Sequence, residues 1–300
     1  MKKLALALAA MMACGVVNVA QAADTLAKIK SAGKIVIGTR DSSAPLAYTT
    51  GDGKYTGYHV DVCVKIAEEI KANLKAPTMP VEYTVVTSAN RVPLVQNGTV
   101  DIECGSTTNN ATRQKDVSFA NTTFVEEVRI AVKASSGITS IAQLNGKTVA
   151  TTTGTTSVQL LRKHEKGTGV EFKELFGKDH ADSFLLLESG RADAFVMDDN
   201  ILAGLIVNSK APAEFKIVGE SLSEEPIAIM FPKDDPAYKK LVDETVIGLM
   251  KSGELDKIYT KWFMAPIPPR SATVGMAMSA SLKNAIANPN DKPAETYVKK

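Results

Sequence analysis

The sequence holds few of the residues that build metal and redox sites. Three cysteines and three histidines occur in 300 residues, and the histidines lack the spacing of metal ligands. A Walker-A lysine loop and a dinucleotide-binding glycine pattern are also missing. The sequence gives no support for metal chemistry, Ser/His/Asp catalysis or nucleotide binding. We therefore expect no cofactor, no metal and no catalytic residue.

Long apolar runs are confined to the first residues. Lys2 and Lys3 precede a short apolar run, Leu4 to Ala13, and Ala20-Gln21-Ala22 has the small-x-small pattern of a cleavage site. This predicts a signal peptide, residues 1–22, cleaved after Ala22. No later stretch has the ~18 apolar residues of a membrane span. We expect an exported, periplasmic protein.

Cys14 raises the question of lipidation, because Met12-Ala13 before it faintly resembles a lipoprotein processing site. Met11 stands where such sites usually have Leu, which argues against lipidation. The mature chain keeps only Cys63 and Cys104. They could pair in an oxidising compartment, but we expect two buried free thiols.

The charge balance excludes a second group of functions. Removal of residues 1–22 leaves 33 basic and 33 acidic residues. No basic excess remains to attract nucleic acid or an anionic membrane. The length suits two domains of roughly 100–150 residues each.

Strand and helix patterns alternate along the chain, which predicts an α/β protein with mainly parallel sheets. Residues 34–40, 81–86, 100–104 and 147–151 form β-rich runs, and 57–74 form an amphipathic helix. The layout of 94–102 recurs at 186–194, each with a helix end, a Gly and a strand entered through an Asp. Any α/β protein can repeat this unit, but the order of the remaining elements favours two similar lobes whose strand ends face each other.

Three segments carry a family resemblance: Ser88–Leu94, Glu103–Asn110 and Leu187–Ala192, together with Pro266–Pro269. They resemble the periplasmic solute-binding proteins for polar amino acids, specifically the glutamate/aspartate branch, which serve bacterial ABC importers. The resemblance implies a type II periplasmic binding protein fold, with two parallel-sheet lobes joined by two hinge strands. Lobe 1 would comprise 24–123 plus 225–269, and lobe 2 would comprise 124–224. The last thirty residues are rich in Ser, Ala, Asn and Lys, which predicts a loosely docked tail, 270–300, with a short helix near 282–286.

The resemblance also implies the residues that hold the ligand's α-carboxylate and α-ammonium groups. Arg113 matches the arginine that grips the α-carboxylate, which a planar guanidinium does through two parallel bonds. Thr108 and Thr156 would complete that shell from the two lobes. Asp198, helped by Ser106, matches the acid that neutralises the ammonium, although an N-cap at the following helix is the alternative.

A second set matches the positions that hold the ligand's side-chain carboxylate: Arg40, Ser88, Arg91 and His180. Two arginines at one site repel each other unless an anion joins them, so the set favours glutamate or aspartate. We also expect a ligand carboxylate to raise the pKa of His180, so that binding weakens above neutral pH. Taken alone, Arg40 would fit a surface salt-bridge partner as well as a ligand group, and His180 would be an exposed loop residue.

The resemblance implies a non-enzymatic monomer that closes around its ligand and is recognised by a membrane permease. One alternative is a periplasmic cyclohexadienyl dehydratase on the same scaffold, with His180 as the only plausible proton shuttle. A sensory ligand-binding domain is a second alternative, but such domains usually continue into a membrane helix.

Overall fold

The computed structural model describes residues 24–51 and 53–297, so the predicted signal peptide, its cleavage after Ala22 and Cys14 lie outside the described residues. The α-helices are α1 Thr25–Ala32, α2 Tyr58–Asn73, α3 Arg91–Gln96, α4 Thr156–Thr168, α5 His180–Glu188, α6 Asp199–Val207, α7 Pro236–Lys251, α8 Glu254–Tyr259 and α9 Ala280–Ala287. The strands are β1 Ile35–Thr39, β2 Ser42–Ser43, β3 Ala47–Thr49, β4 Tyr55–Thr56, β5 Val81–Val85, β6 Ile102–Glu103, β7 Val117–Phe119, β8 Phe124–Lys133, β9 Thr148–Thr152, β10 Lys173–Gly177, β11 Ala194–Asp198, β12 Phe215–Ile227, β13 Met230–Pro232, β14 Pro266–Ile267 and β15 Ala272–Thr273.

Helix boundaries follow the local signals in the sequence. Asp235 caps α7 by accepting the backbone N–H of Tyr238 at 3.0 Å, and Pro236 is the first helical residue, as predicted. Gly33 ends α1 at φ +67°, where its N–H reaches the carbonyl of Ile29. In the described part of the chain, no helix is long and apolar enough to cross a membrane.

Two five-stranded sheets organise the molecule. The first has the order β5-β1-β6-β13-β7, and the second has the order β10-β9-β11-β8-β12. We call the parts built on them lobe 1 and lobe 2. The predicted boundaries within the chain remain a proposal; strands of lobe 1 come from 35–119 and 230–232, and those of lobe 2 from 124–227.

The expectation of parallel sheets needs a correction. In each sheet one strand, β13 or β8, runs antiparallel to its neighbours, so both sheets are mixed. These are the strands that follow the two crossings between lobes. At each crossing the chain reaches the new sheet at the edge that holds the carboxyl ends of its neighbouring parallel strands. The first strand after the crossing therefore runs antiparallel to them.

Lobe 1 encloses the largest apolar core, which includes Ile37, Ile66, Phe124 and Trp262. Cys63 on α2 and Cys104 after β6 lie in this core and are joined by a disulfide. The expectation of free thiols was therefore wrong. Spacing could not decide it, because the two residues are 41 positions apart and only the packing of α2 on the sheet brings them together.

The C-terminal residues are packed more firmly than the sequence suggested. The short helix is present as α9, but Leu282 and Ala285 are fully buried in the core of lobe 1. Beyond α9, the backbone N–H of Ala294 donates to the carbonyl of Asn109 at 2.8 Å. The expectation that this segment is loosely docked was wrong. Its small polar residues gave no sign that its backbone would form hydrogen bonds with lobe 1.

Candidate functional site

The carboxyl ends of β1, β5 and β6 meet where lobe 1 faces lobe 2. Arg40 directly follows β1 and is completely buried. Its Nη1 donates to Ser106 Oγ and its Nη2 to Ser88 Oγ, both at 3.0 Å. Three residues predicted to share a site thus share one hydrogen-bond network, and Arg40 points inward rather than into solvent.

Arg91 is the first residue of α3 and is also buried. Its Nη1 donates to the carbonyl of Ser106 at 2.7 Å, while its Nε is buried without a partner. Burial, followed by the nearby guanidiniums of Arg113 and Arg40, lowers the pKa of Arg91. Within the described residues Arg91 forms no ion pair, whereas Arg40 Nη2 lies 3.8 Å from Asp179 Oδ2. An unpaired Arg91 is unusual because buried charges are normally paired.

His180 reaches this network from the start of α5 in lobe 2. Its Nε2 lies 3.2 Å from Arg40 Nη2, and its Nδ1 lies 3.0 Å from Thr152 Oγ1. Because a guanidinium can only donate, Nε2 is an acceptor and the imidazole is neutral. Burial, then Arg40 and Arg91, hold the pKa of His180 well below 6.5. His180 is therefore neutral in this arrangement, and the rise of its pKa expected from a ligand carboxylate stays a prediction.

A second cluster forms where Thr108 of lobe 1 meets Thr156, the first residue of α4 in lobe 2. Both hydroxyls donate to the same oxygen, Glu225 Oε2, at 2.9 and 2.8 Å. Arg113 donates through Nη1 to the carbonyl of Thr108 at 2.8 Å and through Nη2 to the carbonyl of Gly154 at 3.4 Å. The three predicted residues of the α-carboxylate grip are thus within one group of contacts.

Asp198 ends β11 and is buried beside Glu126. It occupies the position before α6 but accepts no capping bond, and Asp199 accepts the N–H groups of Glu127 and Asn200 instead. Ser106 Oγ contacts Arg40 and Ser43 rather than Asp198. Burial, followed by the charge of Glu225, raises the pKa of Asp198 to about 7.

Close approach of the two lobes depends on a glycine. Gly154 has φ +81°, and a Cβ at this position would lie 2.7 Å from the Cα of Ala89 in lobe 1. A side chain here would collide with backbone as well as strain the turn. The Gly154 loop, whose carbonyl accepts a hydrogen bond from Arg113, can therefore pack against Ala89 only because residue 154 is glycine.

Sequence reasoning missed three buried acids of the site: Glu103, Glu126 and Glu225. Glu103 Oε2 accepts the hydroxyl of Thr107 at 2.7 Å, and its charge acts on Arg40, Arg91 and Arg113. The acidic pairs at 126–127 and 224–225 were the available signal, since each lies in a long β-rich run. In the described part of the chain, no group of three or more His, Cys, Asp or Glu residues is arranged to hold a metal ion.

Comparison with known proteins shows the family of the chain. Residues 35–265 match the model of the bacterial extracellular solute-binding proteins, family 3. The chain is 46% identical over 272 residues to the L-glutamate/L-aspartate-binding protein of Pseudomonas aeruginosa, covering 90% of each chain. It is 44% identical over 289 residues to the glutamate/aspartate import solute-binding protein of Escherichia coli K12, covering 96% of each.

Comparison with a solved structure supports the fold assignment. The crystal structure of a mutant ArgBP from T. maritima matches with a TM-score of 0.71 at 25% identity, covering 80% of this chain and 99% of that one. The fold is that of a type II periplasmic binding protein, with two lobes and two connecting strands, as the sequence predicted. The chain belongs to the bacterial extracellular solute-binding proteins, family 3.

Proposed function

We propose that this protein captures glutamate or aspartate between its lobes and delivers it to the permease of an ABC importer. The relatives named for these two amino acids share 44–46% of its residues over at least nine-tenths of the chain. The protein acts in the periplasm as a monomer, after cleavage following Ala22, and is a carrier rather than an enzyme.

The backbone of the amino acid is held by the cluster around Thr108. Arg113 binds the α-carboxylate, and the backbone N–H groups of Thr108 and Thr156 complete its shell from the two lobes. Asp198 binds the ammonium group. Support comes from the hydrogen bonds that already join Arg113 to Thr108 and Gly154 across the lobes.

The side-chain carboxylate of the ligand binds between Arg40 and Arg91. The observation that carries this assignment is the buried guanidinium of Arg91, which has a carbonyl partner but no ion pair among the described residues. Ser88 and neutral His180 orient Arg40, since its Nη2 contacts both. A dicarboxylic ligand supplies the negative charge that Arg91 lacks, whereas Arg40 already lies 3.8 Å from Asp179.

Closure follows from the arrangement of contacts. Lobe 1 comprises 24–123 plus 225–269 and lobe 2 comprises 124–224, with β8 and β12 as hinges. Arg40 and Arg113 each make contacts in both lobes, so a ligand held by these residues stabilises the closed form.

Removal of Arg91 tests the ligand class. Hydrogen bonds to charged groups contribute about 1.5–3 kcal/mol each, so we expect Arg91→Ala to weaken glutamate binding at least about 100-fold. Calorimetry of the mature protein with glutamate, aspartate, glutamine and asparagine measures the effect. Arg162→Ala removes an arginine whose side chain is 56% exposed and serves as the matched control. Near-native affinity in Arg91→Ala would refute the assignment, and strong glutamine binding by the wild type would refute the ligand class.

The dehydratase alternative has weaker support. His180, its only proton-shuttle candidate, is held by Arg40 and Thr152 and has its pKa lowered by burial. Turnover of prephenate or arogenate by the purified protein would revive this alternative.

A further inference from the structure

Glu225 is a buried carboxylate that the proposed binding scheme does not use. It lies near the end of β12, the strand through which the chain leaves lobe 2, and only 4% of it is exposed. A buried carboxylate is costly unless its oxygens accept hydrogen bonds. Both oxygens of Glu225 do so, and their donors indicate its role.

The donors come from both sides of the cleft. Oε2 accepts from Thr108 Oγ1 at 2.9 Å and from Thr156 Oγ1 at 2.8 Å, while Oε1 accepts from Ser223 Oγ at 2.9 Å. Thr108 also forms an isolated β-bridge with Ile227, two residues farther along the chain. One carboxylate oxygen therefore connects the strand-end segment of lobe 1, the first turn of α4 and the crossing strand.

We propose that Glu225 is a positioning residue that holds the Thr108 and Thr156 segments in the geometry that grips the ligand's α-carboxylate. The proposal rests on the proposed function. Glu225 itself does not touch the ligand. Its effect is transmitted through the two threonines.

The direction of the hydroxyl protons explains how this works. Each threonine hydroxyl has one proton, and here both protons point at Glu225. The backbone N–H groups of the same residues then remain for the ligand, together with Arg113. Fixing both threonines on one oxygen sets the separation of these backbone donors, and such preorganisation lowers the entropy lost on binding.

Charge and positioning predict opposite effects, which makes the proposal testable. If charge alone mattered, loss of the negative Glu225 beside an anion-binding site would strengthen glutamate binding. If Glu225 positions the donors, its loss weakens binding. We expect Glu225→Ala to raise the Kd for glutamate about tenfold or more, and Glu225→Gln, which keeps one acceptor oxygen, to raise it less.

A double-mutant cycle with Thr156→Val separates positioning from general damage. Because Glu225 acts through the threonines, we expect Glu225→Ala/Thr156→Val to bind about as weakly as Glu225→Ala alone. Glu224→Gln, on the adjacent half-buried residue, is the matched control and should bind like the wild type. Urea unfolding without ligand verifies that each variant is folded.

The outcomes distinguish the two proposals. Glutamate binding by the wild type, measured first by calorimetry, tests the proposed function by itself. With that binding established, an unchanged or tightened Kd in Glu225→Ala, or additive losses in the cycle, would overturn the role of Glu225. If the wild type bound neither acid, the proposed function would fail, and the cycle would be run with the amino acid found in a screen of all twenty.

Discussion

Glu126 is a buried acid whose surroundings disfavour a negative charge. It lies on β8 with 1% exposure, close to the charges of Asp198 and Glu225, and neither of its carboxyl oxygens has a hydrogen-bond partner among the described residues. Burial, then the charges of Asp198 and Glu225, raise the pKa of Glu126 well above its usual 4.5. A buried carboxylate without a hydrogen-bond donor is costly, so the native structure favours the protonated form of Glu126.

This proton makes stability depend on pH. The unfolded chain releases it near pH 4.5 whereas the native chain retains it, so the contribution of Glu126 to stability falls as pH rises above 4.5. We expect Glu126→Gln, which mimics the protonated form, to raise the free energy of unfolding by about 1–3 kcal/mol at pH 8. At pH 5 the gain should be small. Urea unfolding at both pH values measures it; a loss of stability at pH 8 would show that the ionised carboxylate is the native form.

Individual residues also show how far the sequence could be interpreted. Arg40, Ser88 and His180 could be grouped through their family register, and the structure joins them by hydrogen bonds. Ser106, expected beside Asp198, instead bonds to Arg40. Glu126 and Glu225 were not assigned to the site, because the acidic pairs that mark them are equally typical of solvent-facing strand positions. Their burial arises from packing between the lobes, which local patterns do not encode.

At the scale of elements, the segment after α9 supports the loop that carries Arg113. The carbonyl of Asp291 accepts the side-chain amides of Asn109 and Gln114 at 2.9 and 3.0 Å. Glu295 Oε2 accepts the backbone N–H of Ala111 at 3.0 Å. A segment almost 180 positions away thus fixes both ends of the loop 109–114.

Deletion of residues 289–300 should therefore affect binding. We expect the Kd for glutamate to rise about three- to tenfold. Each lost hydrogen bond contributes about 0.5–1.5 kcal/mol, and part of this loss would weaken the positioning of Arg113. Calorimetry on the truncated protein measures it, with Lys292→Ala, an exposed side chain on the same segment, as the control. Unchanged affinity after deletion would show that the loop holds its shape alone.

Elements were predictable to different degrees. The capped start of α7 and the glycine end of α1 followed from local sequence, because caps depend on neighbouring residues. The reversed strands β8 and β13 and the covalent link between α2 and the end of β6 did not. Both depend on how the chain passes between and across the sheets.

For the whole molecule, closure depends on how near the two lobes can come. The Gly154 loop rests against Ala89 on one side, and Gly204 of α6 packs against the backbone of Ala44. Neither position has room for a Cβ. Backbone contacts of this kind limit closure sharply, because they cannot be relieved by rotating a side chain.

Gly154→Ala should hinder closure more than it disturbs folding. The added Cβ would lie 2.7 Å from the Cα of Ala89, whereas Gly169→Ala imposes a similar φ of +73° in open space and is the matched control. We expect Gly154→Ala to weaken glutamate binding about tenfold or more and Gly169→Ala to leave it close to wild type. Small-angle scattering in the presence of glutamate should give a larger radius of gyration for Gly154→Ala than for Gly169→Ala. Equal compaction of both variants would argue against this limit.

The Cys63–Cys104 bond bears on how the protein must be prepared. It joins helix α2 to Cys104, which lies two positions before Ser106. Ser106 accepts hydrogen bonds from both Arg40 and Arg91. Such bonds form in oxidising compartments. Protein produced in the reducing cytosol of an expression host would be chemically distinct from the disulfide-bonded form, so affinities should be measured on oxidised protein whose thiols have been titrated.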